Sequence, residues 1–438
     1  MHRQVAALNQ SANAVRAPRD ERGMVLPVAL FALIMLSGLL LVFLSTAGME
    51  PTVAANLHDA TRARYLAEGG VEWAFDQLVP ANPTCWNTVP NCWSTVLAAN
   101  NGAMATNMVL PGLPASAGTF SVSVRNDTLA ADPQVTGQTM DPGGPTTDTN
   151  NVLVLTSTGA YNGVTRQIQV VVSRSALNLP AGLDLPGVGT NTAFSGNSFT
   201  ISGQDTNVDD TAGTCPALWG IGVADAATES RVESSLSQQQ KDNVSGKPQA
   251  TGPGVGDNTI VPEPTLTPPQ IAKFVEAARP YADISLEVTA ENRLSYSGLG
   301  DTCATNWNAP TCWGTRSNPK IVYVKGSLDP GQAFYALSAS GTSSGAGILI
   351  VEDGDVSLTG NFRWEGLILI TGQYVGLRYG GGGNQTVYGS IVVNETADLN
   401  AQVEVDATGN AKLLYSCQAL DNVRNMRRLY RLRSWREL

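Results

Sequence analysis

The side chains that most often carry enzyme chemistry are scarce in this sequence of 438 residues. It has two histidines, His2 and His58, and it contains no nucleophile elbow, Walker loop or dinucleotide-binding glycine fingerprint. Most catalytic triads that use histidine are therefore excluded. The remaining candidates for acid–base chemistry are three carboxylates, Glu352, Asp353 and Asp355. Because Gly354 lies among them, they also fit an ordinary turn, and we expect neither enzyme activity nor a cofactor.

A second group of side chains has the oxygen atoms that a calcium ion prefers. The group consists of Asp205, Asn207, Asp209 and Asp210. It lacks the central glycine and the terminal glutamate of an EF-hand loop, so a plain polar loop is the alternative interpretation. No zinc spacing of the CxxC kind is present, and we expect no other metal site.

Six cysteines follow the first long apolar segment: Cys85, Cys92, Cys215, Cys303, Cys312 and Cys417. An even number of cysteines in an oxidising compartment indicates disulfides. Proximity suggests that Cys85 pairs with Cys92 and that Cys303 pairs with Cys312, which leaves Cys215 for Cys417. Other pairings stay open, because spacing alone does not fix connectivity.

The charge distribution excludes one class of partner. The sequence has 37 acidic and 27 basic residues, a net charge of −10, and the acidic excess lies between the two basic ends. Such a body is not expected to bind nucleic acid non-specifically.

An uncharged run from Met24 to Met49 follows a polar leader. It is long enough for a membrane-spanning helix, which needs about 20 mainly apolar residues. The leader is rich in arginine, so it should stay cytoplasmic and the rest of the chain should lie outside the cytoplasm. A secretory signal peptide would have a shorter apolar stretch.

The helical pattern continues beyond the apolar run, as far as Leu78, without an intervening loop. One long helix from Met24 to Leu78 is the simplest interpretation. Pro27 suits its first turn, where the missing N–H donor has no partner in any case. Pro51 and the pair Gly69 and Gly70 are the predicted kinks.

The leader that ends at Gly23, the sharp junction to Met24 and the uninterrupted helix together resemble the class III signal of type IV pilins and pseudopilins. The resemblance implies that a prepilin peptidase cuts after Gly23 and methylates Met24. It also implies that the helices pack side by side in a filament. An ordinary signal anchor is the alternative, and it explains the helix but not the Gly23 junction.

Residues 56–78 are similar, more narrowly, to the PilX-type minor pilins and the K-type pseudopilins of type II secretion. Major pilins usually carry a glutamate as the fifth residue after the cut, where this chain has Val28. K-type pseudopilins also lack that glutamate and are placed at the filament tip. The resemblance therefore favours a tip or priming role.

After the helix, the sequence predicts an irregular connection over residues 80–116 and then an antiparallel sheet. Thr119 begins an alternating strand, and residues 152–161 and 164–172 flank Asn162 and Gly163, a pair that favours a type I′ hairpin. This sheet could cover the amphipathic half of the helix. Residues 176–315 are predicted to be an irregular insertion with one short helix, which starts at Pro268.

A loose repeat from Lys320 to Asn394 predicts a glycine-rich β-domain over residues 316–420. Short apolar strands follow Gly347, Gly366 and Gly389. Such spacing fits the coils of a β-solenoid, and a β-sandwich is the alternative. The tail, residues 421–438, has arginines at helical spacing, which could bind an acidic partner, lipid headgroups or the chain's own acidic body.

The sequence thus predicts an α+β protein with six parts. They are a leader (1–23), the transmembrane and amphipathic helix (24–79), a disulfide-stapled loop and antiparallel sheet (80–175), the insertion (176–315), the glycine-rich β-domain (316–420) and the basic tail (421–438).

We expect a single-pass inner-membrane protein whose bulk is periplasmic and later lies on the pilus or cell surface. The resemblance implies that it assembles with other minor and major pilins, and that prepilin peptidase and a tip adhesin are further partners in pilus assembly and cell adhesion. The alternative is a signal-anchored β-solenoid enzyme or binding module that acts on cell-surface polysaccharide.

Overall fold

The computed structural model of the protein describes residues 25–79, 92–187, 189–248, 259–289, 292–326, 335–397, 403–424 and 426–438. The α-helices of this part of the chain are α1 (Val25–Leu78), α2 (Cys92–Ala98), α3 (Asp132–Thr136), α4 (Ala226–Ser235), α5 (Gln238–Lys241), α6 (Pro268–Ala278) and α7 (Cys417–Arg424). Short 3-10 turns lie at Ala99–Gly102, Ala115–Ala117, Arg279–Tyr281 and Arg427–Leu429.

An antiparallel sheet packs against the second half of α1, and we call it the helix-bearing sheet. Its strands, in spatial order, are β1 (Ala103–Met108), β2 (Thr119–Asn126), β3 (Val152–Tyr161), β4 (Val164–Arg174) and β22 (Tyr430–Glu437). Asn162 and Gly163 both have positive φ, 48° and 82°, which is the conformation of the predicted type I′ turn. The expected hairpin between β3 and β4 is therefore confirmed.

The rest of the described chain forms two parallel sheets. The larger sheet contains β5 (Ala181–Leu185), β7 (Thr200–Ser202), β8 (Trp219–Val223), β9 (Val244–Ser245), β10 (Ile260–Pro262), β11 (Ile284–Glu287), β13 (Lys320–Lys325), β15 (Ser344–Glu352), β17 (Arg363–Gly372), β19 (Thr386–Glu395) and β21 (Lys412–Leu414). The smaller sheet contains β6 (Thr192–Ser195), β12 (Leu294–Tyr296), β14 (Tyr335–Ala339), β16 (Asp355–Leu358), β18 (Leu377–Tyr379) and β20 (Val405–Thr408).

The glycines of the sequence repeat lie side by side in the larger sheet. Gly347 pairs with Gly366, and Gly366 pairs with Gly389. Their φ angles are 124°, 138° and 135°, a region that side chains disfavour. A Cβ atom on Gly366 would lie 2.1 Å from the carbonyl oxygen of Gly347, so only glycine fits this column.

The larger sheet is buried on both faces. Along β15, Leu349 and Val351 belong to the apolar core between the two parallel sheets. Ile348 and Ile350, which alternate with them, belong to a second core that also contains residues of α1, α6, α7 and the helix-bearing sheet. Such strands read as continuous apolar runs, because neither face meets water.

Two predicted irregular stretches contain regular structure instead. Among the described residues, the insertion expected over 176–315 supplies strands β5 to β12 to the parallel sheets and contains α4 and α5 besides the expected α6. The connection expected over 80–116 contains α2 and the edge strand β1. Both expectations are wrong there, because strands of two to six residues are too short to show a hydrophobic period.

The basic tail also differs from its sequence pattern. Arginines at helical spacing suggested a helix, but residues Tyr430–Glu437 form strand β22, which pairs with β4 at the edge of the helix-bearing sheet. The tail therefore packs on its own chain, one of the alternatives that the sequence left open. Pairing with a distant strand has overridden the local pattern.

Candidate functional site

Helix α1 is divided into an exposed part and a packed part. In the first part every large apolar side chain is at least half exposed, from Val25 at 69% to Val53 at 63%. The helix is long and apolar enough to cross a membrane, and it is the one such helix in the part of the chain that the structure describes. It could therefore be a membrane anchor.

The packed part of α1 presents a buried stripe to strands β2, β3 and β4. The stripe consists of Ala63, Leu66, Ala67, Val71, Ala74, Phe75 and Leu78. Small residues let α1 and β3 approach closely. A Cβ atom on Gly159 of β3 would lie 2.0 Å from the carbonyl oxygen of Ala63 in α1. A Cβ atom on Gly70 would lie 2.4 Å from the Ser157 hydroxyl oxygen.

Polar contacts hold the same part of the helix. Arg62 donates to the Tyr161 hydroxyl at 2.8 Å and places its guanidinium 4.6 Å from the centre of that ring. Near the end of the helix, Arg427 of the carboxyl-terminal segment donates to Asp76 at 2.6 Å. The beginning and the end of the packed half are thus tied to two different parts of the chain.

The structure places only some of the predicted processing and filament residues. Gly23 and Met24 lie outside the described residues, so cleavage after Gly23 stays a prediction. Pro27, Val28 and Pro51 all lie in α1, with Val28 63% exposed. The described helix runs without a break through Pro51 and through Gly69 and Gly70.

Disulfides join Cys215 to Cys417 and Cys303 to Cys312. These are two of the three pairings that the sequence suggested. The third lies outside the described residues, because Cys85 and the Cys92 side chain are not described. The Cys215–Cys417 bond connects the loop before β8 to the first residue of α7.

The calcium candidates have partners within the protein. Asp205 accepts hydrogen bonds from the backbone N–H groups of Cys215 and Cys417, at 2.8 and 2.9 Å. Asp209 accepts from Thr211, and these hydrogen bonds lower the pKa of Asp209. The remaining two also bind protein atoms, since Asn207 donates to Thr211 and Asp210 accepts from Tyr388. The arrangement supports the alternative of a polar loop.

The three candidate carboxylates lie at the corner between β15 and β16. Glu352 accepts from the Tyr323 hydroxyl, and Asp353 adopts a positive φ of 57° in the turn. Asp355 is 7% exposed, and burial raises its pKa to about 6. Burial also raises the pKa of Asp353. The positive φ of Asp353 fits the turn interpretation.

A cavity that the sequence did not indicate lies between the loop that precedes β13 and the segment that follows α7. Trp307 and Arg316 line one side of it, and Arg427 and Arg428 line the other. The Trp307 side chain is partly exposed, at 36%. Its position between Cys303 and Cys312 was the one available signal, whereas the meeting of these arginines depends on the tertiary fold.

Comparisons with known proteins gave weak similarity to solved structures. No family model and no curated protein match the chain. Among solved structures, the chain is similar to the competence-associated pilin ComZ from Thermus thermophilus, with 12% sequence identity and a TM-score of 0.26. The match covers 87% of this chain and 97% of that one. A TM-score this low does not establish a shared fold, so we base the functional proposal on the geometry of this chain.

Proposed function

We propose that this protein is a minor pilin of the PilX type. It inserts into the inner membrane through the first part of α1, is cut by a prepilin peptidase between Gly23 and Met24, and is methylated at Met24. It then takes part in type IV pilus assembly in the priming or tip complex, where α1 packs against other minor and major pilins. The bulk of the chain lies in the periplasm and later on the pilus or cell surface.

The observation that carries this proposal is the division of α1. Its first part has exposed apolar side chains around its whole circumference, and its second part is covered by the helix-bearing sheet. An apolar helix surface of this size requires lipid or other helices to cover it. A subunit that first resides in a bilayer and then joins a bundle of similar helices would have this surface covered by lipid first and by other helices later.

We further propose that the parallel strands form coils of a β-solenoid that extends outward from the helix. Along the chain, β13, β15, β17 and β19 belong to the larger sheet and are each followed by a strand of the smaller sheet. Parallel pairing in register is the geometry in which each coil covers the next, and it differs from the antiparallel pairing of a β-sandwich. Such a stack would present its flanks to an adhesin or to other minor pilins.

The Gly23→Ala variant tests the function in the native host. We expect it to keep its leader, to remain in the membrane fraction and to be absent from filaments sheared off the cell surface. Gly38→Ala is the matched control, because no atom lies within 4 Å of a Cβ at Gly38 in the exposed part of α1. The control should be processed and incorporated like the unmodified protein. Equal maturation of Gly23→Ala would contradict the proposal.

A second candidate function is a signal-anchored module that binds or acts on cell-surface polysaccharide. The long in-register parallel sheet favours it, since such stacks offer extended flat surfaces to polymers. Deletion of the gene distinguishes the two candidates. Loss of pilus-linked traits supports the minor pilin, and unchanged pilus traits support the polysaccharide module.

A further inference from the structure

A cavity of about 390 Å³ lies between the loop that precedes β13 and the segment that follows α7. This volume is within the range of protein sites for small ligands. The side chains that line it include Trp307, Arg316, Asn318, Asn422, Arg427 and Arg428. The combination is one aromatic ring, two amides and three guanidinium groups, in a protein whose net charge is −10.

The aromatic ring is held in place by covalent and polar anchors. Trp307 lies within the short loop that the Cys303–Cys312 disulfide closes. The Lys320 ammonium donates to the carbonyl oxygens of Trp307 and Cys312, at 2.6 and 2.9 Å, and lies 4.2 Å from the centre of the Trp307 ring. An exposed tryptophan on an anchored loop offers a flat surface at low cost in conformational entropy.

The guanidinium groups are also fixed in position. Arg316 donates through Nε and Nη2 to Glu365, at 2.7 and 3.0 Å. Arg427 pairs with Asp76 and Arg428 pairs with Asp283.

Because a guanidinium has five N–H donors, each of these arginines retains donors for a second anion. Glu365 also pairs with Arg363, and Lys320 adds another cation beside Trp307.

We propose that this cavity binds a carboxylate-bearing saccharide, such as a uronic acid unit of an acidic polysaccharide. The apolar face of the sugar ring stacks on Trp307, and its carboxylate accepts paired hydrogen bonds from a guanidinium. Asn318 and Asn422 supply amide groups for the sugar hydroxyls. The site is independent of amino-terminal processing, so its failure would leave the proposed pilin function intact.

Isothermal titration of the full-length protein in detergent micelles with trigalacturonate tests the proposal. We expect Trp307→Ala and Arg316→Gln each to weaken binding at least tenfold. Trp435→Ala and Arg378→Gln are matched controls, because Trp435 is 46% exposed on β22 and Arg378 lies on β18 of the smaller sheet, and they should change affinity less than twofold. Equal effects of the cavity variants and the controls would overturn the proposal.

Two further ligands test separately whether the cavity recognises the carboxylate charge and whether it recognises the sugar. Methyl-esterified trigalacturonate should bind at least tenfold more weakly than the free acid, and added salt should weaken binding of the acid. A short polyglutamate peptide should bind more weakly than trigalacturonate. Equal binding of the ester, or tighter binding of the peptide, would overturn the saccharide assignment.

A spectroscopic measurement keeps the test valid if a variant folds poorly. Trigalacturonate should change the tryptophan fluorescence of the unmodified protein in a saturable way, and Trp307→Phe should abolish the change while retaining an apolar ring. An unchanged fluorescence response in Trp307→Phe would place the ligand elsewhere and overturn the proposal.

Discussion

The helix-bearing sheet and the larger parallel sheet use glycine for two different kinds of close contact. In the helix-bearing sheet, Gly159 has ordinary strand geometry and its missing side chain makes room for the backbone of α1 at Ala63. In the parallel sheet, Gly366 has a φ of 138° and stacks directly on Gly347 and Gly389. The first contact fixes how a helix lies on a sheet, and the second fixes how strands stack.

The largest expected effect comes from the glycine column. Gly366→Val places a branched side chain at a disfavoured φ, with its Cβ 2.1 Å from the Gly347 carbonyl oxygen, and should cost more than about 4 kcal/mol of unfolding free energy. Hydrogen exchange measured by mass spectrometry should show the loss in the parallel sheets. Gly382→Ala is the control, since no atom lies within 4 Å of a Cβ there. Similar hydrogen exchange in Gly366→Val and Gly382→Ala would contradict the role assigned to the glycine column.

A smaller effect is expected where the helix meets the sheet. Gly159→Val forces α1 away from β3, because its Cβ would lie 2.0 Å from the Ala63 oxygen and 2.5 Å from the Ala67 nitrogen. We expect a loss of about 3 kcal/mol, seen as faster exchange in the packed half of α1 with little change in the parallel sheets. Ala160→Val, on the opposite face of β3, should be nearly neutral. A loss confined to the parallel sheets would contradict this account.

The buried Asp355 side chain makes the stability of the folded protein depend on pH. Burial raises its pKa from 3.8 to about 6, so the folded state binds this proton more tightly than the unfolded chain. This stabilising contribution is complete below pH 3.8 and is lost as the pH rises through 6. Asp355→Asn should therefore stabilise the protein by about 1–3 kcal/mol at pH 7.5 and not at pH 3.5.

Thermal unfolding at the two pH values checks the Asp355 prediction. Asp406→Asn, on strand β20 of the same sheet and 36% exposed, is the control and should give no such pH-dependent gain. An equal gain for Asp355→Asn at both pH values would show that the buried charge is not the cause.

The smallest effect is expected at the hairpin. Arg62→Leu removes the hydrogen bond to Tyr161 and the cation–π contact, and should cost about 0.5–1 kcal/mol because the pair is exposed. Tyr161→Phe removes the hydrogen bond alone and should cost less. Chemical denaturation measures both variants, and a larger loss in Tyr161→Phe would contradict the assigned contacts.

The sequence predicted the elements whose patterns are long or whose turn chemistry is specific. The apolar run and the amphipathic stripe gave α1, and the Asn162–Gly163 pair gave the hairpin, because only that turn type requires two positive φ angles in succession. The repeat glycines also predicted three strands of the larger sheet, β15, β17 and β19.

Elements that depend on distant partners were not predictable. Strands such as β9, with two residues, have no period to detect. Strand β22 pairs with β4, which lies far away in the sequence, while its arginines happen to follow a helical spacing. The cavity shares this limit, since Arg316 and Arg427 belong to separate segments that only the fold brings together.

The mass of the amino-terminal peptide of the protein, purified from membranes of the native host, tests the central proposal most directly. A pilin subunit should begin at an N-methylated Met24, with residues 1–23 removed. An intact Met1, or a cut after Ala47, would contradict the account and favour a signal-anchored or secreted protein.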